Sequence, residues 1–429
     1  MPFHPRPRRL AQAALTVALA LFVVACGNHP DSIFHNHTDV NRDVDSLWAI
    51  LFWAGGFVFV FVECILLYTL FKFRHRPGQA EPKHVHGNTT LEITWTVIPL
   101  LILATIAVPT IHTIFKTQAA ARPDALQVEV IGHQWWWEFR YPQYKIITAN
   151  ELYLPIGRTV NFTLHSQDVI HSFWVPGLSG KRDVVPNHTN YLWYTPDSSG
   201  ANVWNGACVE YCGTNHANMR FKAFTVSQAD FESWAKHQAE AAVGSPAPAT
   251  PGAAPGAAPA TTTPATATTA QASMAAAPTP AATVTQAGFV SYPRDKIPAY
   301  AVPQTPYPAG LTYDNSLLAH GDPASGAKLM TSQGTCFICH SISGNKMMIG
   351  NIGPNLTHLA TRTTIGAGLY PNDAEHLARW IKNARLMKRD IVMPTLGKGQ
   401  FDPTLKATMQ QGLTDQQIAD IVAYLETLK

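Results

Sequence analysis

Two clusters of sulfur and imidazole residues stand out before any fold is considered. The first is Cys208-Val-Glu-Tyr-Cys212-Gly-Thr-Asn-His216-Ala-Asn-Met219, joined from upstream by His171 in Asp168-Val-Ile-His171-Ser-Phe. Two thiolates, two imidazoles and a thioether are soft donors that suit copper in its lower oxidation state. Two thiolates four residues apart can each bridge two metal ions. His171, His216, Met219 and one backbone carbonyl would then complete the two coordination spheres. Zinc on two Cys and two His is the alternative metal, but it gives Met219 no role. A Cys208–Cys212 disulfide, the other alternative for an exported domain, leaves both histidines unexplained.

The second cluster is Cys336-Phe-Ile-Cys339-His340. Its spacing fits covalent attachment of a c-type heme, the thiols adding to the vinyl groups and His340 becoming the proximal iron ligand. A sixth ligand must come from later in the chain, where Met347, Met348, Met387, Met393 and Met409 are the candidates. The first two lie too close to His340 to cross the heme.

These clusters need elements to hold them, and 429 residues exceed what one core organises. Charged residues make up 14% and the formal charge is +3, which points away from nucleic acid as a partner. Residues 1–26 read as a bacterial lipoprotein signal, with Arg6, Arg8 and Arg9 before an apolar run that ends at Cys26. Cleavage before Cys26 would leave its thiol to be lipidated; a plain signal peptide or an extra anchor helix is the alternative. Within residues 27–120, Ser46 to Phe71 and Ile93 to Phe115 are each long enough for a hydrocarbon core that needs about 20 residues. They form a transmembrane hairpin. The loop between them carries Lys72, Arg74, Arg76 and Lys83 against Glu81, and the segment before them carries Asp31, Asp39, Asp43 and Asp45 against Arg42. The positive-inside rule then puts the loop in the cytoplasm and all that follows Phe115 outside.

Residues 121–243 change to short β-branched and aromatic runs broken by Pro, Gly and Asn, the texture of a small β-sandwich or barrel, with a short helix from Phe231 to Ala242. Residues 244–288 are almost entirely Ala, Pro, Thr, Gly and Ser, so the expectation is a disordered tether spanning roughly 35–40 Å. Residues 289–429 comprise an approach segment and, from Asp322-Pro323, a compact helical domain. That domain closes on a helix opened by a capping box at Thr414 and Gln417, with Ile418, Ile421, Val422, Leu425 and Leu428 on one face.

With these pieces in place, about Ser46 to Ser227 closely resembles subunit II of heme-copper cytochrome c oxidases, whose external domain is cupredoxin-like. The resemblance implies a binuclear copper A centre held by His171, Cys208, the backbone carbonyl of Glu210, Cys212, His216 and Met219. It also implies that the Glu210 carboxylate helps hold a magnesium ion at the boundary with subunit I. In Gly132-His133-Gln134-Trp135-Trp136-Trp137, Trp135 matches the indole that mediates electron input to copper. Three adjacent indoles on a strand cannot all face one side, so at least one should be exposed or lie at an interface. Glu92, in Leu91-Glu92-Ile93-Thr94-Trp95, matches the acidic residue at the mouth of a proton channel, although a helix N-terminus favours a carboxylate in any case. Glu63, within the first apolar stretch, should face protein or water, and Cys64 reads as a small core residue.

Asp322 to Lys429 resembles an all-α class I cytochrome c. In that family a Met followed by Pro in an extended loop supplies the sixth ligand, which selects Met393 in Val392-Met393-Pro394, with Met387 the second choice. The fusion resembles caa-type oxidases. It implies partners in subunit I, with its heme and copper B, and subunit III, and an external donor such as cytochrome c or a cytochrome bc1 complex. The expected place is the bacterial inner membrane, with copper and heme domains on the periplasmic face. A nitric oxide reductase that uses a copper A subunit and a membrane-anchored copper carrier are the competing readings. A quinol oxidase subunit would lack the paired cysteines.

Overall fold

The computed structural model describes residues 12, 14–18, 20, 31–78, 86–118, 123–197, 203–242 and 288–429. Cys26 and nearly all of the Ala/Pro/Thr segment lie outside the described residues.

Helix α1 (Asp39–Lys72) and helix α2 (Thr89–Gln118) form the hairpin. Both are longer than their apolar stretches because polar turns extend them. Thr38 caps α1 by accepting from the Asn41 amide at 3.1 Å, and Asp39 and Lys72 sit at the ends where the helix dipole favours their charges. At about 1.5 Å per residue α1 is about 51 Å long, more than enough to cross a hydrocarbon core of about 30 Å. Lys116, in the last turn of α2, pairs with Asp43, in the first turns of α1, at 2.7 Å across the antiparallel hairpin. Cys64 does not lie in a core as its size suggests. It is exposed on α1, whose outer apolar faces are left open by the chain itself, and Glu63 is half-buried.

The start of α1 is tied to the β-domain. The Thr38 hydroxyl donates to the Leu178 carbonyl at 2.6 Å, the Asn41 amide to the Pro176 carbonyl at 3.2 Å, and Arg42 pairs with Asp197 at 2.5 Å.

That domain is a cupredoxin-like sandwich of strands β1 (Leu126–His133), β2 (Trp136–Tyr141), β3 (Ile146–Ala149), β4 (Glu151–Pro155), β5 (Val160–Ser166), β6 (His171–Trp174), β7 (Arg182–Val184), β8 (Asn190–Tyr194), β9 (Val203–Cys208) and β10 (Arg220–Val226). They form two five-stranded sheets in the orders β3-β2-β1-β5-β8 and β4-β10-β9-β6-β7. The period-two pattern explains the core: Leu126, Val128 and Val130 of β1 and Val160, Phe162 and Leu164 of β5 point inward. Between the sheets Phe173 stacks on Phe221 at 5.0 Å, with Trp137 edge-on to both. Helix α3 (Gln228–Ala239), capped by Ser227, follows β10 and lies slightly earlier than its apolar residues suggest.

The C-terminal domain packs α4 (Pro323–Met330), α5 (Ala374–Lys382), α6 (Ala384–Met387) and α7 (Asp415–Thr427) around Met330, Leu377, Ile381, Ile418, Ile421, Val422 and Leu425. Asp322 caps α4 and the Thr414/Gln417 capping box opens α7. Two short antiparallel ladders, Thr364–Ile365 with Tyr370–Pro371 and Phe401–Asp402 with Ala407–Thr408, interrupt an otherwise helical domain. Short runs of that kind carry no periodicity, which hides them from a sequence reading.

Candidate metal centre and heme attachment site

Strand register assembles the first cluster from distant residues. His171 opens β6, and Cys208, the last residue of β9, lies opposite Phe173 of that strand. The Cys208 amide donates to the Met219 carbonyl at 3.0 Å, which closes the loop carrying Cys212 and His216 back onto β9.

Within this frame the donors converge. Cys208 Sγ lies 3.7 Å from Cys212 Sγ, 3.8 Å from His171 Nδ1 and 3.3 Å from the Glu210 carbonyl oxygen. Cys212 Sγ lies 3.8 Å from His216 Nδ1 and 3.9 Å from Met219 Sδ. Two donors on one metal, each about 2.0–2.3 Å from it, stand about 3.3–3.8 Å apart at a tetrahedral angle, so these separations suit coordination. Neither cysteine is in a disulfide. The Cys212 thiol, together with His171 and neighbouring backbone groups, pulls Cys208 well below the ordinary thiol range against the opposing effect of burial, so a thiolate is favoured there.

Asp168 had no role in the sequence reading, although its three-residue spacing from His171 was the available signal. Its carboxylate meets His171 Nε2 at 2.8 Å and accepts from the Gln134 amide at 2.6 Å. Burial opposes charge on His171, but Asp168 and Cys208 outweigh it and raise the imidazole above its ordinary range. With Nε2 held by Asp168, Nδ1 is the nitrogen turned to the thiolates.

Trp135 is not on a strand. β1 and β2 join through a two-residue turn, Gln134-Trp135, with His133 opposite Trp136. At this hairpin tip the Trp135 indole and the Gln134 amide both donate to the Cys212 carbonyl, at 2.9 and 2.8 Å. The two indoles on β2 point to opposite faces, Trp137 fully buried and Trp136 half-buried with its ring stacked on His133 at 4.2 Å between centroids, while the half-buried Trp135 is set apart by the turn and not by strand alternation.

Gly132 is needed for close approach, since a Cβ there would come 2.7 Å from Cδ2 of His171. Gly132→Ala should therefore displace His171 and weaken copper binding about 10- to 100-fold, as loss of outer-sphere support commonly does. Copper titration of the full chain checks this; unchanged affinity would mean that the ring shifts freely.

Glu210 places its carboxylate on the surface. Glu92 is exposed in the first turn of α2, far in sequence from the donors, after Asn88, which accepts from the Leu91 amide at 3.1 Å.

In the helical domain Cys336 and Cys339 are free and half-buried at the two ends of one 3-10 turn and its cap. Burial raises both thiols, Cys336 to about 11. His340 Nδ1 meets the Pro354 carbonyl at 2.7 Å, which leaves Nε2 as the nitrogen that would ligate a heme iron. A Cβ at Gly353 would fall 2.7 Å from Cε1 of this ring, so glycine gives the imidazole its place. Burial keeps His340 below the ordinary histidine range, hence neutral and fit to ligate. The residues present therefore fit a covalent heme. Among the methionines, Met348 and Met387 are buried in the apolar core, Met347 is exposed, and Met393 and Met409 are half-buried.

Comparison with known proteins assigns three regions of the chain to known families. Residues 35–113 match the family model for the transmembrane domain of cytochrome c oxidase subunit II, residues 145–226 its periplasmic domain, and residues 323–429 cytochrome c. Cytochrome c oxidase subunit 2 of Alkalihalophilus pseudofirmus is 29% identical over 87% of this chain and 83% of its own. The Bacillus subtilis protein of the same name is 40% identical over 40% of this chain and 52% of its own. Probable cytochrome c oxidase subunit 2 of Rickettsia bellii is 33% identical over 43% of this chain and 75% of its own. The chain thus belongs to the cytochrome c oxidase subunit II family, in a form that carries a C-terminal cytochrome c domain.

Proposed function

We propose that this chain is the electron-input subunit of a respiratory terminal oxidase. It takes electrons from an external donor through a covalent c-type heme and passes them to a binuclear copper A centre. From there they reach the heme and copper B of subunit I, where oxygen reduction is coupled to proton translocation. The observation that carries this reading is the convergence of six donors, from His171, Cys208, Glu210, Cys212, His216 and Met219, in a chain that also holds the Cys336-Cys339-His340 motif.

Each residue has a part. Cys208 and Cys212 would bridge the two coppers, while His171, His216, Met219 and the Glu210 carbonyl complete their spheres; a centre of this kind supplies one-electron transfer with little change in shape. Asp168 holds His171 in the ligating tautomer, and the protein frame spares the site large rearrangement. Trp135, bonded to the Cys212 carbonyl, offers an aromatic route from the surface to a ligand residue. Cys336, Cys339 and His340 would hold the heme, with Met393 as sixth ligand. His-Met ligation raises the iron potential, as a donor to copper requires. Glu92 would stand at a proton channel, and the surface carboxylate of Glu210 would share magnesium with subunit I.

Subunit I is the partner that family membership implies, and the two apolar helices make the chain a two-pass membrane protein. Subunit III and a cytochrome c or bc1 donor complete the proposed complex. The charge bias across α1 and α2 supports copper and heme on the periplasmic side of a bacterial inner membrane.

The test is purification of the complex through this chain. The expected result is two coppers per copy, a heme that survives denaturation on the polypeptide, a copurifying heme-bearing membrane subunit and oxygen uptake driven by reduced cytochrome c. One zinc in place of copper would overturn the proposal. So would a complex that reduces nitric oxide but not oxygen.

A further inference from the structure

The segment that carries Met393, between α6 and the Phe401–Asp402 ladder, has no regular structure, so something else must hold its backbone. Arg385, on α6, supplies that hold. Its Nε donates to the Ile391 carbonyl at 3.2 Å and one terminal nitrogen donates to the Val392 carbonyl at 3.3 Å, the two carbonyls immediately before Met393. The other terminal nitrogen pairs with Asp402 Oδ2 at 2.9 Å. Asp402 is fully buried, and its Oδ1 accepts from the Thr404 and Leu405 amides at 2.9 Å each. A buried carboxylate without its cation is strongly destabilising, so Asp402 fixes where the guanidinium sits.

Beyond Met393 the segment is held again. Asn383 Oδ1 accepts from the Thr395 hydroxyl at 3.0 Å, and its amide donates to the Phe401 carbonyl at 3.0 Å. Met393 is therefore suspended between two clamped points, Val392 and Thr395.

We propose that Arg385, oriented by Asp402, is a positioning residue that holds the Met393 sulfur in place for the heme iron. The proposal rests on Met393 being the sixth ligand. Only a planar fork can serve the carboxylate and both carbonyls at once; a lysine ammonium could keep the ion pair but not the whole set.

The test uses the full chain, purified in detergent with its heme attached and its copper removed. Imidazole is titrated against the ferric heme, and the weak sulfur-to-iron band and the reduction potential are recorded. Arg385→Lys should keep the fold and the covalent heme, weaken the band, lower the potential and raise imidazole affinity roughly tenfold or more, the effect of losing one charge-assisted hydrogen bond. Asp402→Asn, which keeps an acceptor for the Thr404 and Leu405 amides, should move all three in the same direction. Unchanged imidazole affinity and potential in both variants would overturn the proposal, even with lowered thermal stability, because a purely structural pair changes stability alone. Met393→Ala separates the two readings: a band that survives in it defeats the ligand assignment, whereas a band lost in it but untouched in Arg385→Lys defeats only the role of Arg385.

Discussion

Cys212→Ser should abolish the electron spin shared over two copper nuclei in the oxidised full chain, whereas Met219→Leu should keep two coppers and shift their potential. The geometry makes Cys212 the hub of the cluster: its sulfur lies within 3.9 Å of Cys208 Sγ, His216 Nδ1 and Met219 Sδ. A hydroxyl is a harder ligand than a thiolate and does not bridge soft copper ions in the same way, so at least one metal is lost. The Met219 sulfur lies 3.9 Å from Cys212 Sγ. Leucine there preserves an apolar, fully buried contact while removing a single weak donor. Metal analysis together with electron paramagnetic resonance reads both outcomes. A shared-spin signal that persists in Cys212→Ser defeats the bridging role.

The second large effect is expected in the heme domain. Met393→Ala should remove the sulfur-to-iron band and lower the reduction potential, while Cys336 and Cys339 should keep the heme attached. Axial ligands set heme potentials over a range of roughly 0.8 V, so a shift on the order of tenths of a volt is expected. Met387→Ala behaves differently. Its side chain is part of the apolar core, and truncation should cost about 2–5 kcal/mol of stability while leaving the band in place. Loss of the band in Met387→Ala with its retention in Met393→Ala would exchange the two assignments. Absorption spectra and thermal unfolding of the two variants decide between them.

Much of this chain was legible in its residues because the signals are local. The Cys208 to Met219 and Cys336 to His340 spacings are short enough to specify donors without knowledge of the fold, and resemblance to known families added Glu210 and Met393. The apolar stretches in α1 and α2 declare themselves by length, and the Thr414/Gln417 capping box by its three-residue interval. What tertiary structure alone decided depends on register and on contacts distant in sequence. A two-residue turn lifted Trp135 off its strand and set it on a carbonyl 77 residues away. Pairing of β6 with β9 brought His171 to Cys208. Asp168 and Arg385 gained their roles from the groups that folding put beside them, His171 in one case and Asp402 with two loop carbonyls in the other. A carboxylate or guanidinium has the same sequence appearance whether it meets water or a ligand-bearing loop. Its partner is chosen by strand pairing and burial, which no short interval of residues encodes.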